Sequence, residues 1–99
     1  MSDIIFADMN DMYKKMAGKE PDKNKHGVLA SFYFRMKAFE DPNTCACKKG
    51  KGAKDNLMKM YMTMPTMVRT EPLRSASKEI FGTGTLIFKI NGIEFAKVV

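Results

Sequence analysis

The 99-residue sequence has no tryptophan, only one histidine, only two cysteines and only four prolines. Two cysteines cannot build the disulfide framework of a small secreted scaffold, so reduced thiols in a reducing compartment are the simpler expectation. No stretch of about 18 apolar residues occurs, so no transmembrane helix is expected. The opening residues, MSDIIFADMNDMYKK, carry acids instead of a basic start, so no secretory signal is expected. These scarcities favour a cytoplasmic or virion protein with no membrane partner.

The positive charge is placed unevenly along the chain. The net charge is +6, yet residues 1–42 hold seven Lys/Arg and seven Asp/Glu and are neutral. Residues 43–99 carry all of the excess, and residues 48–54 alone supply +4. The length suits a single small domain spanning 1–99, and a hydrophobic fraction of 44% is ordinary for a globular protein. The positive field therefore belongs to the C-terminal part of the chain and is strongest at residues 48–54.

Two amphipathic helices are predicted in the N-terminal part. Residues 3–17 repeat apolar side chains at helical spacing, with Ser2 as N-cap and Gly18 as the stop. Residues 27–40 show the same periodicity and should end at Asp41-Pro42, because a residue before proline avoids the α region. A buried strand through VLASFYF is the alternative for the second segment. Residues 43–54 are predicted to form a basic Gly/Lys loop.

The Met-rich segment 55–64 supports two interpretations. Its apolar residues fit one helical face, but its methionines also alternate as in a strand. A short helix ended by Pro65 is favoured, since methionine prefers helices. The stretch PTMVRTEPLR looks irregular, and Ser75 to Phe81 can form a two-turn helix stopped by Gly82.

The C-terminus predicts a β-hairpin. Asn91-Gly92 suits the two positive φ angles of a type I′ turn between the apolar segments TLIFKI and IEFAKV. A two-residue turn would place Ile90 opposite Ile93, Lys89 opposite Glu94, Phe88 opposite Phe95 and Ile87 opposite Ala96. One face would then collect apolar side chains, namely Ile90, Phe88, Leu86, Ile93 and Phe95.

The expected fold class is α+β: two N-terminal amphipathic helices, a basic Gly/Lys loop, a short Met-rich segment and a C-terminal β-hairpin. Two strands alone are marginal in water. The one candidate for a third strand is residues 58–64. Otherwise the edges of the hairpin should stay unpaired and invite another chain.

The segment CACKKGKGAK, residues 45–54, gives weak signals for metal or nucleotide binding. Cys45 and Cys47 are one residue apart, whereas structural zinc sites use four ligands in wider pairs. They remain weak candidates for metal through a site shared by two chains. A redox or disulfide role is the other alternative, although a bridge between residues this close would be strained. The segment lacks the spacing and the Ser/Thr of a P-loop. His26 is interpreted as a surface or helix-start residue without a catalytic partner. No catalytic set, metal, cofactor or small-molecule substrate is therefore predicted.

The lysines of this segment can contact a polyanion. Lys48, Lys49, Lys51 and Lys54 can neutralise backbone phosphates without reading bases. No aromatic residues interleave with them, so a stacking platform for single strands is not indicated. A lysine-rich loop that is merely solvated is the alternative.

Five methionines crowd into ten residues and form a candidate protein interface: Met58, Met60, Met62, Met64 and Met67. Core filling is the alternative, because methionine fits irregular gaps. The leading hypothesis is a non-enzymatic assembly subunit of a larger complex, such as a viral capsid, connector or tail. It would bind neighbouring chains, its own copies included, with the basic loop facing nucleic acid or an acidic surface. The alternative is a stand-alone basic nucleic-acid-binding or inhibitor-type protein.

Overall fold

The computed structural model describes residues 3–45, 49–82 and 85–98. Four helices and three strands lie in these ranges, so the protein is a mixed α+β fold. In chain order they are β1 (Ile4–Phe6), α1 (Met9–Lys15), α2 (Val28–Glu40), α3 (Lys51–Met67), α4 (Glu71–Phe81), β2 (Leu86–Ile90) and β3 (Ile93–Val98).

The helix predicted over 3–17 is wrong in its first turn, where β1 forms instead. Ile4 and Ile5 are β-branched and favour extended backbone. Asp8, not Ser2, is the N-cap of α1, and its carboxylate accepts the Asp11 N–H at 2.8 Å. Asp11 in turn accepts the Ala7 N–H at 2.8 Å. These two hydrogen bonds fix the start of the helix at Met9, after the strand has ended.

Helix α2 confirms the prediction for residues 27–40, and the strand alternative for VLASFYF is wrong. It begins after Gly27, whose φ is +56°, and ends at Asp41. Its buried side chains include Leu29, Phe32 and Met36. The helix therefore presents the apolar face that its periodicity predicts.

Helix α3 is longer than predicted at both ends. It begins at Lys51, so the predicted loop 43–54 is wrong in its last four residues. It also continues through Pro65, because that proline lies in the last turn and the Val68 N–H still reaches the Met64 carbonyl at 2.9 Å. Methionines 58–64 are therefore helical, and the strand alternative is wrong.

Helix α4 begins at Glu71 instead of at Ser75. Pro72 occupies the first turn, where its missing N–H has no intrahelical partner to lose. Gly82 closes the helix in the left-handed conformation with φ of +76°, as predicted.

The third strand comes from the N-terminus and not from residues 58–64. The sheet order is β1-β2-β3, with β1 parallel to β2 and β2 antiparallel to β3. Ile4 pairs with Leu86 and Phe6 with Phe88. The expectation that both edges of the hairpin stay unpaired is therefore wrong for β2, which is the central strand.

The hairpin register is confirmed near the turn and wrong beyond it. Asn91 and Gly92 have φ of 53° and 79°, and Ile90–Ile93 and Lys89–Glu94 pair as predicted. A β-bulge then inserts Phe95, so Phe88 pairs with Ala96 and Ile87 with Lys97. The apolar face predicted from the register changes with it. Val98 is buried opposite Leu86, whereas Ile93 is largely exposed.

The helices and the sheet enclose a core rich in aromatic and methionine side chains. Phe6 lies 5.1 Å, centroid to centroid, from both Phe81 and Phe88. Tyr61 packs against Phe88 at 5.6 Å and against Phe95 at 5.8 Å. These contacts join β1, β2, α3 and α4, and the outer strand β3 packs against them through the displaced Phe95.

Candidate polyanion-binding surface

The predicted lysines lie where α3 begins. Lys51 and Lys54 are exposed in the first helical turn, and Lys49 is half-buried just before it. Lys48 lies outside the described residues. Gly50 is the N-cap and contributes no side-chain hydrogen bond, and the first turn holds no acid. Two of the four predicted residues are therefore placed on a helix and not on a loop.

This charge placement opposes the usual preference of a helix start. The N-terminus of a helix carries a partial positive charge, so acidic side chains stabilise it and lysines do not. Here Lys51 and Lys54 occupy the positions that acids normally take. The arrangement does not serve the stability of α3, and it concentrates positive potential at one end of the helix.

Arg35 on α2 adds a cation next to this helix start. A cleft of about 210 Å³ between α2 and α3 is lined by both helices: Arg35, Ala38, Phe39, Ala53, Asn56 and Leu57. Ala53 lies between Gly52 and Lys54 in the first turn of α3. Arg35 thus shares a cleft with the turn that carries the lysines. Sequence reasoning missed it, because nothing in its local spacing tells which helix α2 packs against.

A second cleft brings another cation next to Arg35. It measures about 280 Å³ and is lined by Lys23, Ala30, Ser31, Phe34 and Arg35. The Lys23 ammonium lies 4.6 Å from the centroid of the Phe34 ring. Arg35 lines both clefts, so it shares one with Lys23 and the other with Ala53 of the lysine-bearing turn. We refer to Lys23, Arg35, Lys49, Lys51 and Lys54 together as the basic surface.

The cations of the basic surface are not neutralised by ion pairs within the described part of the chain. There the lysine ion pairs are Lys15–Asp11 at 2.6 Å, Lys25–Glu79 at 3.0 Å and Lys37–Glu20 at 3.7 Å. None of the five residues of the basic surface belongs to such a pair. Their charge is therefore available to an external anion. Asp55 of α3, the residue after Lys54, is an acid near them in sequence.

The cysteine candidates do not gain support as a metal site. Cys45 is disulfide-bonded, so the expectation of a reduced thiol is wrong for it and the disulfide alternative is supported; the number of cysteines does not determine their oxidation state. Zinc binds the thiolate, which a disulfide sulfur cannot offer. Cys47 lies outside the described residues. Within those residues no three His, Cys, Asp or Glu side chains come together as a metal site would require.

His26 lies at the start of α2, as one of the two interpretations held, but it is buried and not on the surface. Its Nδ1 accepts the Asp22 N–H at 2.8 Å, which places the proton of the neutral ring on Nε2. That Nε2 lies 3.6 Å from a carboxylate oxygen of Glu79. The hydrogen bond from Lys25 lowers the pKa of Glu79, as does the imidazole to a lesser degree. Together with the Lys25–Glu79 ion pair, the His26–Glu79 contact places the segment before α2 against α4, which is a structural role.

The predicted methionine interface divides between the core and the surface. Met64 is fully buried, and Met58 and Met60 are partly buried and pack against the core. The reason is the helical period, which turns positions 57, 60 and 64 to the same side. Met62 and Met67 remain 50% and 39% exposed. Core filling explains the buried members, and two methionines stay available to a neighbour.

The edges of the sheet carry further exposed groups. On β3, Ile93 is 72% exposed and Phe95 is 36% exposed. The Arg69 guanidinium donates to the Lys97 carbonyl at 3.1 Å, and the Lys15 ammonium donates to the Ile5 carbonyl of β1. Each edge strand therefore has one backbone acceptor covered by a cationic side chain, a common protection against uncontrolled pairing.

No family model, no curated protein and no solved structure matches the chain. Of the described helices, none has both the length and the apolar character that crossing a bilayer requires.

Proposed function

We propose that this protein is a non-enzymatic binding protein whose basic surface contacts the phosphate backbone of nucleic acid. The observation that carries the proposal is the position of Arg35 beside the lysine-bearing first turn of α3, with none of these cations in an ion pair within the described chain. Clustered, uncompensated Lys and Arg side chains are the electrostatic signature of phosphate binding.

The contact we propose is with phosphates and not with bases. The Lys23 ammonium lies over the Phe34 ring and covers one of its faces, so this ring is not a free platform for base stacking. Lysines act as point charges that neutralise phosphates, and such contacts carry no sequence information. Binding should therefore be of similar strength for unrelated sequences and should weaken steeply with salt.

The test measures binding of the purified chain to a labelled 20-base-pair DNA duplex by fluorescence anisotropy. The triple variant Lys49→Ala, Lys51→Ala, Lys54→Ala should bind about tenfold more weakly or worse. A control variant with the same loss of charge is Lys14→Ala, Lys19→Ala, Lys78→Ala, whose lysines are exposed elsewhere. It should keep most of the affinity. Equal loss in both variants would show a diffuse charge effect and refute the basic surface.

Arg35→Ala provides an independent arm of the same test. Arg35 is exposed and lies outside the predicted lysine segment, so its removal should weaken binding only if the two helices form one surface. If no duplex or single strand is bound at low salt, the proposal of nucleic-acid binding is refuted. An acidic protein would then be the alternative partner.

The second candidate function is that of an assembly subunit in a larger complex. It is favoured by the exposed Ile93 and Phe95 on the edge strand β3, with Met62 and Met67 as further exposed apolar side chains. In this role the chain would bind neighbouring protein while the basic surface faces nucleic acid. Elution of the pure protein above its monomer mass of 11.2 kDa would support this role.

A further inference from the structure

The hydrogen-bond pattern of the hairpin determines which backbone groups of β3 face outward. Across a two-residue turn, Ile90 and Ile93 exchange both of their hydrogen bonds, and bonded and non-bonded pairs then alternate. Lys89–Glu94 is therefore a non-bonded pair. After the bulge, Phe88–Ala96 is bonded and Ile87–Lys97 is again non-bonded. The N–H and C=O groups of Glu94 and Lys97 thus point away from β2.

Two independent contacts agree with this assignment. The Tyr61 hydroxyl donates to the Lys89 carbonyl at 3.0 Å and accepts from the Lys89 N–H at 3.3 Å, so both backbone groups of Lys89 point away from Glu94. The Arg69 guanidinium reaches the Lys97 carbonyl at 3.1 Å from outside the hairpin. Both contacts require that the two pairs are non-bonded.

The bulge gives this edge an unusual spacing. In a regular strand the outward-facing residues are two apart, whereas Glu94 and Lys97 are three apart because Phe95 is inserted. A regular partner strand could form backbone hydrogen bonds with only one of these two residues. A second copy of β3, laid antiparallel, has the same spacing and matches both.

The side chains in that register are complementary. Antiparallel pairing centred between Phe95 and Ala96 places Glu94 opposite Lys97 of the second copy, and Lys97 opposite Glu94 of the second copy. Both side chains are exposed, and opposite charges across two strands stabilise pairing. The exposed Phe95 and Ile93 lie on the same strand and would lose water contact.

We propose that β3 pairs edge to edge with β3 of a second copy, in the register Glu94 to Lys97, to form a symmetric dimer with a continuous six-stranded sheet. This inference deepens the assembly role and does not depend on nucleic-acid binding. Arg69 competes with the pairing, since its guanidinium occupies the Lys97 carbonyl that the second copy would need.

The first test is sedimentation equilibrium of the nucleic-acid-free protein over a concentration series. Glu94→Lys and Lys97→Glu should each weaken dimerisation roughly tenfold, because each replaces two attractive pairs by two repulsive ones. The double variant Glu94→Lys, Lys97→Glu restores the opposite charges between the two copies, though not the Lys89–Glu94 pair within the hairpin, and should restore most of the dimer. Arg69→Ala should strengthen it. A monomer at all concentrations, or a double variant as weak as the single variants, would overturn the proposal.

The second test needs no variant and so is independent of any folding defect. Amide hydrogen exchange of Glu94, measured by NMR, should slow as the protein concentration rises, because its N–H gains a partner only in the dimer. Exchange that is unchanged with concentration would contradict the pairing. The variant Lys49→Ala, Lys51→Ala, Lys54→Ala should still dimerise, so that failure of this proposal and failure of nucleic-acid binding are distinguishable.

Discussion

The Tyr61 hydroxyl lies 3.0 Å from the carbonyl oxygen of Lys89 and 3.2 Å from that of Phe6. Phe6 is the last residue of β1, and Lys89 is the first residue of β2 beyond the Phe6–Phe88 pair. The hydroxyl donates its proton to one of these carbonyls at a time and accepts the Lys89 N–H. The Tyr61 side chain of α3 thereby takes the hydrogen-bonding place that a further residue of β1 would have beside Lys89. It holds α3 against the end of that strand.

Replacing Tyr61 by phenylalanine should destabilise the fold while keeping its shape. The ring contacts with Phe88 and Phe95 remain, but buried backbone groups lose their partner. We expect the free energy of unfolding to fall by about 1–3 kcal/mol, measured by urea denaturation at pH 7. The exposed Met62→Leu, one residue away, is a control that should change it by less than about 0.5 kcal/mol. An unchanged midpoint for the Tyr61 variant would contradict the role given to the hydroxyl.

Alkaline pH should reduce the stability that depends on Tyr61. Burial raises the pKa of Tyr61 to about 12, from an ordinary value of 10.0. Because the folded state holds the proton more tightly, its contribution is complete below pH 10.0 and is lost as the pH rises through about 12. The difference in unfolding free energy between the native chain and Tyr61→Phe should therefore shrink over this range. A difference that stays constant would show that the hydroxyl does not ionise with the raised pKa.

Two methionines of α3 should respond in opposite ways to truncation. Met64→Ala leaves a cavity in the core and should cost about 2–5 kcal/mol of unfolding free energy. Met62→Ala removes a half-exposed side chain and should cost less than about 0.5 kcal/mol. Equilibrium denaturation of both variants measures the contrast. Similar losses would mean that the division of the methionines between core and surface is wrong.

The link between Lys25, His26 and α4 should weaken when Glu79 is neutralised. Lys25 lowers the pKa of Glu79, so the stability from this carboxylate is present above its ordinary value of 4.5 and is lost as the pH falls through the lowered value. Glu79→Gln should lower Tm modestly at pH 7 and should match the native chain in strong acid. Calorimetry over a pH series measures this, with Asp3→Asn, an exposed acid outside the helices, as the control. A pH-independent difference would exclude the electrostatic cause.

The sequence predicted the elements whose signals are local. Asn91-Gly92 specifies its own turn through its φ angles, and Asp41-Pro42 ends α2 by backbone sterics. The register beyond the turn could not be predicted in this way. Phe95 is displaced into a bulge where it packs against Tyr61 and Phe88, and these contacts depend on α3 and β2 at once.

The N-terminal strand and the full basic surface could not be predicted from local sequence either, because both depend on residues far apart in the chain. Residues 4–6 repeat apolar side chains compatible with a helix, and their pairing with β2 is a contact between opposite ends of the chain. The lysines of α3 were visible as a charge cluster, whereas Arg35 and Lys23 join them only after α2 packs on α3. A cluster of charges along the chain can be predicted from the order of the residues, but the surface to which it belongs depends on tertiary packing.

The salt dependence of DNA binding tests the proposed basic surface most directly. For duplex DNA the logarithm of the binding constant falls linearly with the logarithm of the salt concentration, with a slope of about −0.9 for each phosphate contact. The variant Lys49→Ala, Lys51→Ala, Lys54→Ala should show a slope shallower by about 0.9 for each lysine that contacts a phosphate. The control Lys14→Ala, Lys19→Ala, Lys78→Ala should keep the native slope. Parallel slopes for the native chain and the first variant would contradict phosphate binding at this surface.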